Sequence, residues 1–273
     1  AEFGGWSASG LMYRMFRDVE AQICRRASAI MTRTQHAKEI LYHRVGGSID
    51  PAMIHVIPNA KDAHQFHPAT PETRQEMRAK LGLPQDAPVA IYVGSLGPQY
   101  HPAELLDFFE SIAKRDAAAR FVILTGNRAT LDPLLATRTH LEKALTITRV
   151  APEEVPAYVA AADLGVAFRT PSFSQLGVCP IKVGEYLLCG VPVLSSAGIG
   201  DLDEQLGGQH TGRLVPSLDS QQLDAAAGWF LGDVIQQRNE FRERCRRVGT
   251  ATFGMEQCTE RYIKAIRACS SAP

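Results

Sequence analysis

Pro88-Val89-Ala90-Ile91-Tyr92-Val93-Gly94-Ser95-Leu96-Gly97 is the stretch that decides the fold. Val89 to Val93 is a continuous apolar run, as expected for a strand covered on both faces. The two glycines just past it let backbone amides approach a ligand closely. The helix that follows, Pro102 to Lys114, offers at its start the free N–H groups that suit a phosphate. A tight turn without a ligand would use the same two glycines. The pattern is not Gly-x-Gly-x-x-Gly, so the dinucleotide fingerprint is absent here.

Working outward, the alternation repeats. Strands are expected at Phe121 to Leu124, Leu145 to Ile147, Leu164 to Phe168, Pro192 to Ser195 and, more weakly, Arg213 to Val215. Helices fall between them, one leading to Leu145, one over Glu153 to Ala162 and one over Val183 to Cys189. Strands alternating with helices of this length imply right-handed βαβ units and a doubly wound, Rossmann-like parallel sheet, an α/β fold. Such sheets bind ligands beyond the carboxyl ends of their strands. Before the sheet, Leu11 to Arg26 reads as a helix with Leu11, Met15, Val19 and Ile23 on one apolar face. Ala27 to Met31 reads as a short strand, a second helix runs from an N-cap at Thr34 to Gly46-Gly47, and Ile54 to Ile57 is a strand stopped by Pro58-Asn59. This piece, up to about Pro68, is too small to bury a core by itself. Helices over Ser217 to Leu231, Val234 to Val248 and Met255 to Ala268 close the chain, the last with Tyr262, Ile263 and Ile266 as expected buried contacts.

Composition narrows the function classes. The chain has 273 residues with 45% hydrophobic and 21% charged, an ordinary globular balance. Its 29 basic and 29 acidic side chains cancel, so no net field recruits nucleic acid or an acidic membrane. None of the six cysteines, Cys24, Cys179, Cys189, Cys245, Cys258 and Cys269, forms a CxxC pair, and they read as reduced thiols of a reducing compartment. No apolar run approaches the roughly 20 residues that span a bilayer. The chain opens Ala1-Glu2-Phe3 without Met, which reads as a cloning scar or the edge of a truncation.

Two further segments carry candidate chemistry. Cys179 to Leu194 is a loop entering a helix with Lys182 and Glu185 in its first turns, Gly190 as its cap and a buried strand after it. The two charges are three apart and share a face, which a solvated ion pair would also explain. A cation near a helix N-terminus opposes the helix dipole unless an anion lies between them. A sugar-nucleotide diphosphate would be such an anion, with Glu185 accepting from ribose hydroxyls. Ala197-Gly198-Ile199-Gly200-Asp201 is a glycine-rich turn opening onto another helix, or a plain strand-helix turn.

In this order the three pieces resemble the family-4 retaining glycosyltransferases of GT-B type (group 1 glycosyltransferases). Within them they resemble bacterial polysaccharide and capsule enzymes whose first loop reads Gly-Ser-Leu-Gly-x-x-Tyr, here Gly94 to Tyr100. Cys179 to Val193 and Gly198 to Asp201 match that subgroup's later motifs, and Val56 to Asp62 resembles the interdomain passage. The resemblance implies a GT-B C-terminal, nucleotide-sugar-binding domain over 69–250. It implies a partial remnant of the N-terminal acceptor domain over 1–68, and a last helix, 251–273, returning toward that domain. It implies Gly94, Ser95, Leu96, Gly97 and Tyr100 beside the donor diphosphate, with Lys182 and Glu185 as the catalytic pair. Arg149 and Val150 would meet the base edge, and Gly198, Gly200 and Asp201 would line the donor site.

Three departures weaken parts of that carry-over. Ser95 and Tyr100-His101 stand where many members have an Arg and a Lys. Gly177 stands where many have a first Glu, and Cys179 and Ile181 replace Ser and Thr.

The expected reaction is retaining transfer from a nucleoside diphosphate sugar to a glycan or lipid-linked acceptor. No metal is expected, the sequence being read as without an Asp-x-Asp metal motif, and no cofactor beyond the donor itself is required. No nucleic-acid partner is expected. The resemblance implies a cytoplasmic protein, with peripheral association of the full-length protein at the inner membrane face left open. The chain by itself is expected to bind donor weakly and turn over little. Two rivals are a sugar-nucleotide 2-epimerase, whose acid/base residues cannot be placed, and a catalytically degenerate binding or interaction module, which Ser95 and Gly177 favour.

Overall fold

A computed structural model describes residue 7 and residues 9–270. The opening Ala1-Glu2-Phe3 and the last three residues lie outside the described residues. In chain order the first elements are α1 (Leu11–Arg26), β1 (Ile30–Thr32), α2 (Gln35–Arg44) and β2 (Ile54–Val56). They are followed by α3 (Pro71–Lys80), β3 (Val89–Val93), α4 (Pro102–Ala113), β4 (Arg120–Leu124), α5 (Asp132–Leu135) and β5 (Leu145–Thr148). Then come α6 (Val155–Ala160), β6 (Leu164–Ala167), α7 (Ile181–Leu188), β7 (Val193–Ser196) and β8 (Gly212–Val215). Three helices follow, α8 (Ser220–Trp229), α9 (Arg238–Phe253) and α10 (Met255–Ser270).

The six strands from β3 onward form one parallel sheet in the order β5-β4-β3-β6-β7-β8. That is the doubly wound order, built outward in two directions from β3. Helices cover both faces, so two apolar cores form, one around Ile91, Val183 and Leu187 and the other around Tyr92, Phe108 and Phe121. A separate parallel pair, β1 with β2, packs with α1 and α2. Thr34 caps α2 as the sequence predicts, its Oγ1 accepting from the Ala37 amide and donating to the Leu176 carbonyl at 2.7 Å.

Below the sheet, at the amino ends of its strands, one carboxylate organises four segments. Asp163 is almost fully buried just before β6 and accepts from the Val89 amide at 2.9 Å. Arg74 and Arg78 of α3 meet it at 2.6 and 2.8 Å, and Arg238 of α9 at 3.0 Å. Arg78 is wholly enclosed and spends its remaining N–H groups on the carbonyls of Ala161, Pro84, Gln85 and Ala87. Burial alone would push the Asp163 carboxyl up, but the three guanidiniums and the Val89 amide outweigh it and hold the pKa below the ordinary carboxylate range.

The structure corrects the expected packing at both ends. Tyr262, Ile263 and Ile266 of α10 are 42–49% exposed. The helix instead buries Cys258 and Ala265 against Ile57, since this small-residue stripe admits a close backbone approach and turns the larger side chains outward. On α1, likewise, Leu11, Met15, Val19 and Ile23 lie on an exposed face while Ala21 and Cys24 are buried. The helix expected before Leu145 is reduced to the single turn α5 and a tight turn over Thr139–Ala144. All six cysteines are free.

Replacing Asp163 with Ala strands three guanidiniums around an uncompensated hole and should cost about 3–5 kcal/mol in urea unfolding. In the parent chain the Asp163 contribution is complete above about pH 4 and is lost as pH falls through the lowered folded-state value, so the variant's deficit should shrink in acid. A deficit that stays constant down to about pH 2 would contradict this account.

Candidate functional site

The sheet reverses direction between β3 and β6, and there the two strands separate. Their register covers only Ala90↔Leu164 and Ile91↔Gly165. Past that point the hydroxyl of Tyr186, on α7, stands between them, accepting from the Val93 amide at 3.0 Å and donating to the Val166 carbonyl. The ring reaches this position because residue 165 is Gly; a Cβ there would lie 2.3 Å from it. Tyr186 thus satisfies backbone groups that pairing would otherwise consume, and it props open a crevice at the carboxyl end of the sheet.

Gly94 follows β3 with φ +129°, a region that disfavours any side chain, and the Lys182 ammonium lies 3.3 Å from where its Cβ would be. Lys182 stands over the rings of Tyr92 at 4.0 Å and Tyr100 at 5.0 Å. Among the described residues no carboxylate lies within ion-pairing distance of it. Burial, the Arg169 charge and only partial compensation by Glu185 lower its pKa to about 7. Glu185, three residues on, is not its partner. That carboxylate is taken by Lys61 at 2.7 Å, from the segment after β2. Backbone bonds to Phe253 and Met255 hold Lys61 in place.

The other expected residues divide into three groups. Gly94 and Ser95 join Arg149 and Val150 around a hollow of about 460 Å³ at the ends of β3, β4 and β5. Leu96 is core, so only its backbone is available, and Gly97 opens the short turn that presents Tyr100. Gly198, Gly200 and Asp201 lie in a different layer, against the loop of residues 171–178 and against α2. The Gly200 amide donates to Gln175, and a Cβ on Gly200 would fall 2.1 Å from the Val178 carbonyl. Both Asp201 oxygens accept from the α2 N-terminus, from the amides of Gln35 at 2.7 Å and His36 at 3.3 Å. The His36 ring also contacts Asp201, at 3.0 Å.

Asp201-Leu202-Asp203 does have Asp-x-Asp spacing, which corrects the expectation that the chain carries no such motif. Its second carboxylate accepts from the Gly198 amide at 3.4 Å. Among the described residues, no three His, Cys, Asp or Glu side chains converge as a metal set. A hollow of about 930 Å³ lies between α1 and α2, lined by a mixture of Arg17, Arg25, Arg44, Asp18 and Glu39 rather than by a convergent set.

Sequence reasoning missed Arg169 and the role of Lys61. Arg169 is the second residue past β6, and its guanidinium lies over the Tyr100 ring at 5.2 Å. The rule that ligands gather beyond strand ends marks this residue, but only once β6 is known to neighbour β3. No local pattern could have paired Lys61 with Glu185.

The profile of the family described as "Glycosyl transferases group 1" matches residues 73–248. A D-inositol 3-phosphate glycosyltransferase of Kineococcus radiotolerans is 27% identical over 269 residues, covering 91% of this chain and 60% of its own length. Its Mycobacterium tuberculosis counterpart is 27% identical over 226 residues, 80% of this chain and 44% of that protein. The chain thus spans about half the length of these relatives. Among solved structures, Anabaena Alr3699/HepE in complex with UDP and glucose superposes with TM-score 0.71 at 18% identity, covering 95% of this chain and 67% of that one. The C-terminal domain of a group 1 glycosyl transferase (LpcC) from Francisella tularensis gives TM-score 0.58 at 18% identity, covering 72% of this chain and all of that domain.

Two stability predictions follow from the crevice. Tyr186→Phe leaves an amide and a carbonyl of the split unsatisfied and should cost about 1–3 kcal/mol in denaturant unfolding. Lys182→Met should do the opposite. Because the folded-state pKa is depressed, the penalty of carrying the charge is complete below about pH 7 and relieved as pH rises toward the unfolded value of about 10.4. Lys182→Met should therefore gain on the order of 1 kcal/mol at pH 6 and lose that advantage at alkaline pH. Melting curves across pH test the sign.

Proposed function

The chain belongs to the group 1 glycosyl transferases, and on that premise we propose that it is the donor-binding part of a retaining enzyme moving a sugar from a nucleoside diphosphate to a hydroxyl acceptor. The observation that carries the proposal is Lys182, an ammonium without a carboxylate partner, held over Gly94 where the sheet divides. A half-buried cation in that state is costly by itself and is relieved by a dianion. The departing diphosphate is that dianion. Lys182 and the backbone amides after β3 stabilise the charge that accumulates on it while the sugar carbon becomes oxocarbenium-like.

The remaining assignments follow the same crevice outward. The hollow lined by Arg149 and Val150 takes the base. Glu185 takes the ribose hydroxyls, with Lys61 fixing its orientation. An oxygen of the donor phosphate accepts the acceptor proton, so this part needs no side-chain base, and neither a metal nor a cofactor is invoked. In this reading 69–250 is the donor domain, 1–68 belongs to the acceptor domain and 251–273 returns to it. The acceptor is a glycan or a lipid-linked glycan met at the cytoplasmic face of a membrane. Among the described residues no helix is long and apolar enough to cross one. The UDP and glucose held by Alr3699/HepE make UDP-sugars the first donors to try. A second reading, a degenerate donor-binding module, is favoured by Gly177, which brings no carboxylate to the place where the family resemblance leads one to expect a Glu.

Calorimetric titration with UDP-, GDP- and ADP-sugars should find one that binds, with affinity falling as pH rises through about 7 to 8. Binding at about pH 8 should take up a proton, because the diphosphate restores the Lys182 charge. Lys182→Met should weaken binding roughly tenfold or more and abolish the pH dependence. Affinity unchanged between about pH 6 and pH 9 would remove Lys182 from the site. Transfer is expected to be weak with this chain alone and robust only with the longer protein; binding without any transfer by the longer protein would favour the degenerate module.

A further inference from the structure

Arg169 has no role in the fold that its surroundings explain. It is the second residue past β6, across the division of the sheet from Gly94, and its backbone is pinned. Its amide donates to Ser196 Oγ at 3.1 Å, and the next amide, Thr170, donates to the Gln99 carbonyl at 3.1 Å. Thr170 Oγ1 meets His101 Nε2 at 2.9 Å, so the loop after β6 is tied to the loop after β3 on both sides of Tyr100. Inside this frame the guanidinium makes no ion pair and donates no side-chain hydrogen bond to any described residue. Its Nε is buried without a partner. A guanidinium carries five donors in a fixed fork and is always charged, so leaving one of them buried and unmet is a standing cost.

What faces it is a second cation. The Arg169 guanidinium and the Lys182 ammonium stand 5.2 and 5.0 Å from the centre of the same Tyr100 ring, and they repel strongly enough for Arg169 to help depress the lysine. Folding gains little by bringing two like charges to one aromatic ring. An anion with oxygens enough for both resolves the repulsion and satisfies the orphan donor together. The first loop, meanwhile, offers Ser95 and Tyr100 rather than charged groups.

We propose that Arg169 is a donor-binding residue, a second cation that grips the diphosphate from the β6 side while Lys182 grips it from α7, with Tyr100 holding the two cations in register. This rests on the donor-binding reading of the crevice given above.

The test is calorimetry on the 273-residue chain and its Arg169→Ala, Arg169→Gln and Arg169→Lys variants, with inorganic pyrophosphate and with UDP, GDP and ADP. Removing the guanidinium should weaken pyrophosphate and the preferred nucleoside diphosphate together, roughly ten- to a hundredfold, as expected for losing charge-assisted bonds. Arg169→Lys should recover part of the loss, and melting temperatures should stay near the parent value. Affinities within about twofold of the parent in Arg169→Ala and Arg169→Gln, while Lys182→Met loses binding, would overturn the role of Arg169 and leave the donor reading standing. A loss of affinity accompanied by a large fall in melting temperature and no recovery with Lys would also overturn it, since Arg169 would then only support the loop. A parent chain that binds pyrophosphate through Arg169 but no nucleoside diphosphate would keep the cation pair and discard the donor reading. Binding of neither probe would discard both.

Discussion

The buried carboxylate of Asp163 is the constraint on which the sheet depends. Three arginines from two helices and the first amide of the central strand converge on it, so α3, β3, β6 and α9 meet at one point beneath the sheet. A charge so enclosed is tolerable only because every acceptor position is used. The firmness of that lower end permits the upper end to be open. At the top, β3 and β6 can part without unravelling because Tyr186 meets the backbone groups released by their separation, and Gly165 leaves room for its ring.

The upper end is arranged against stability. Gly94 adopts a conformation costly for most residues, Lys182 is desolvated without an acid beside it, and Arg169 adds a like charge. Such local rule-breaking clusters at functional sites, which supports the donor-binding reading proposed for this crevice. Glu185 is the informative contrast. It is buried, yet Lys61 neutralises it, so its charge is not available to offset Lys182.

Much of the fold was legible because its strands are short apolar runs bounded by glycine, proline and polar turns. The runs at Val89, Phe121, Leu164 and Val193 became β3, β4, β6 and β7, with ends shifted by no more than a residue. Thr34 announced α2 by its hydroxyl, whereas α3, a charged helix with little apolar periodicity, went unrecognised. Large apolar residues misled at both ends. Spacing marks which residues share a helix face but not whether a neighbour covers it, and in α1 and α10 small side chains make the buried contacts. In the site, Gly94, Lys182 and Tyr100 were readable because they lie in local patterns. Arg169, Lys61 and Tyr186 were not, because their significance arises from pairings between distant segments that only strand order creates.

The cap that Asp201 places on α2 has a mechanical consequence. The turn carrying Gly198 and Gly200 leans on the loop behind the crevice, while its carboxylate grips the first amides of a helix belonging to the β1–β2 unit. Shifting α2 against the large sheet therefore either carries the turn with the helix or breaks the Asp201 bonds and leaves Thr34 as the remaining cap. Since the Thr34 hydroxyl also holds the Leu176 carbonyl and Lys61 holds Glu185, the smaller unit is joined to the larger one at several points, and Asp201 is the one that bears directly on the α2 amides.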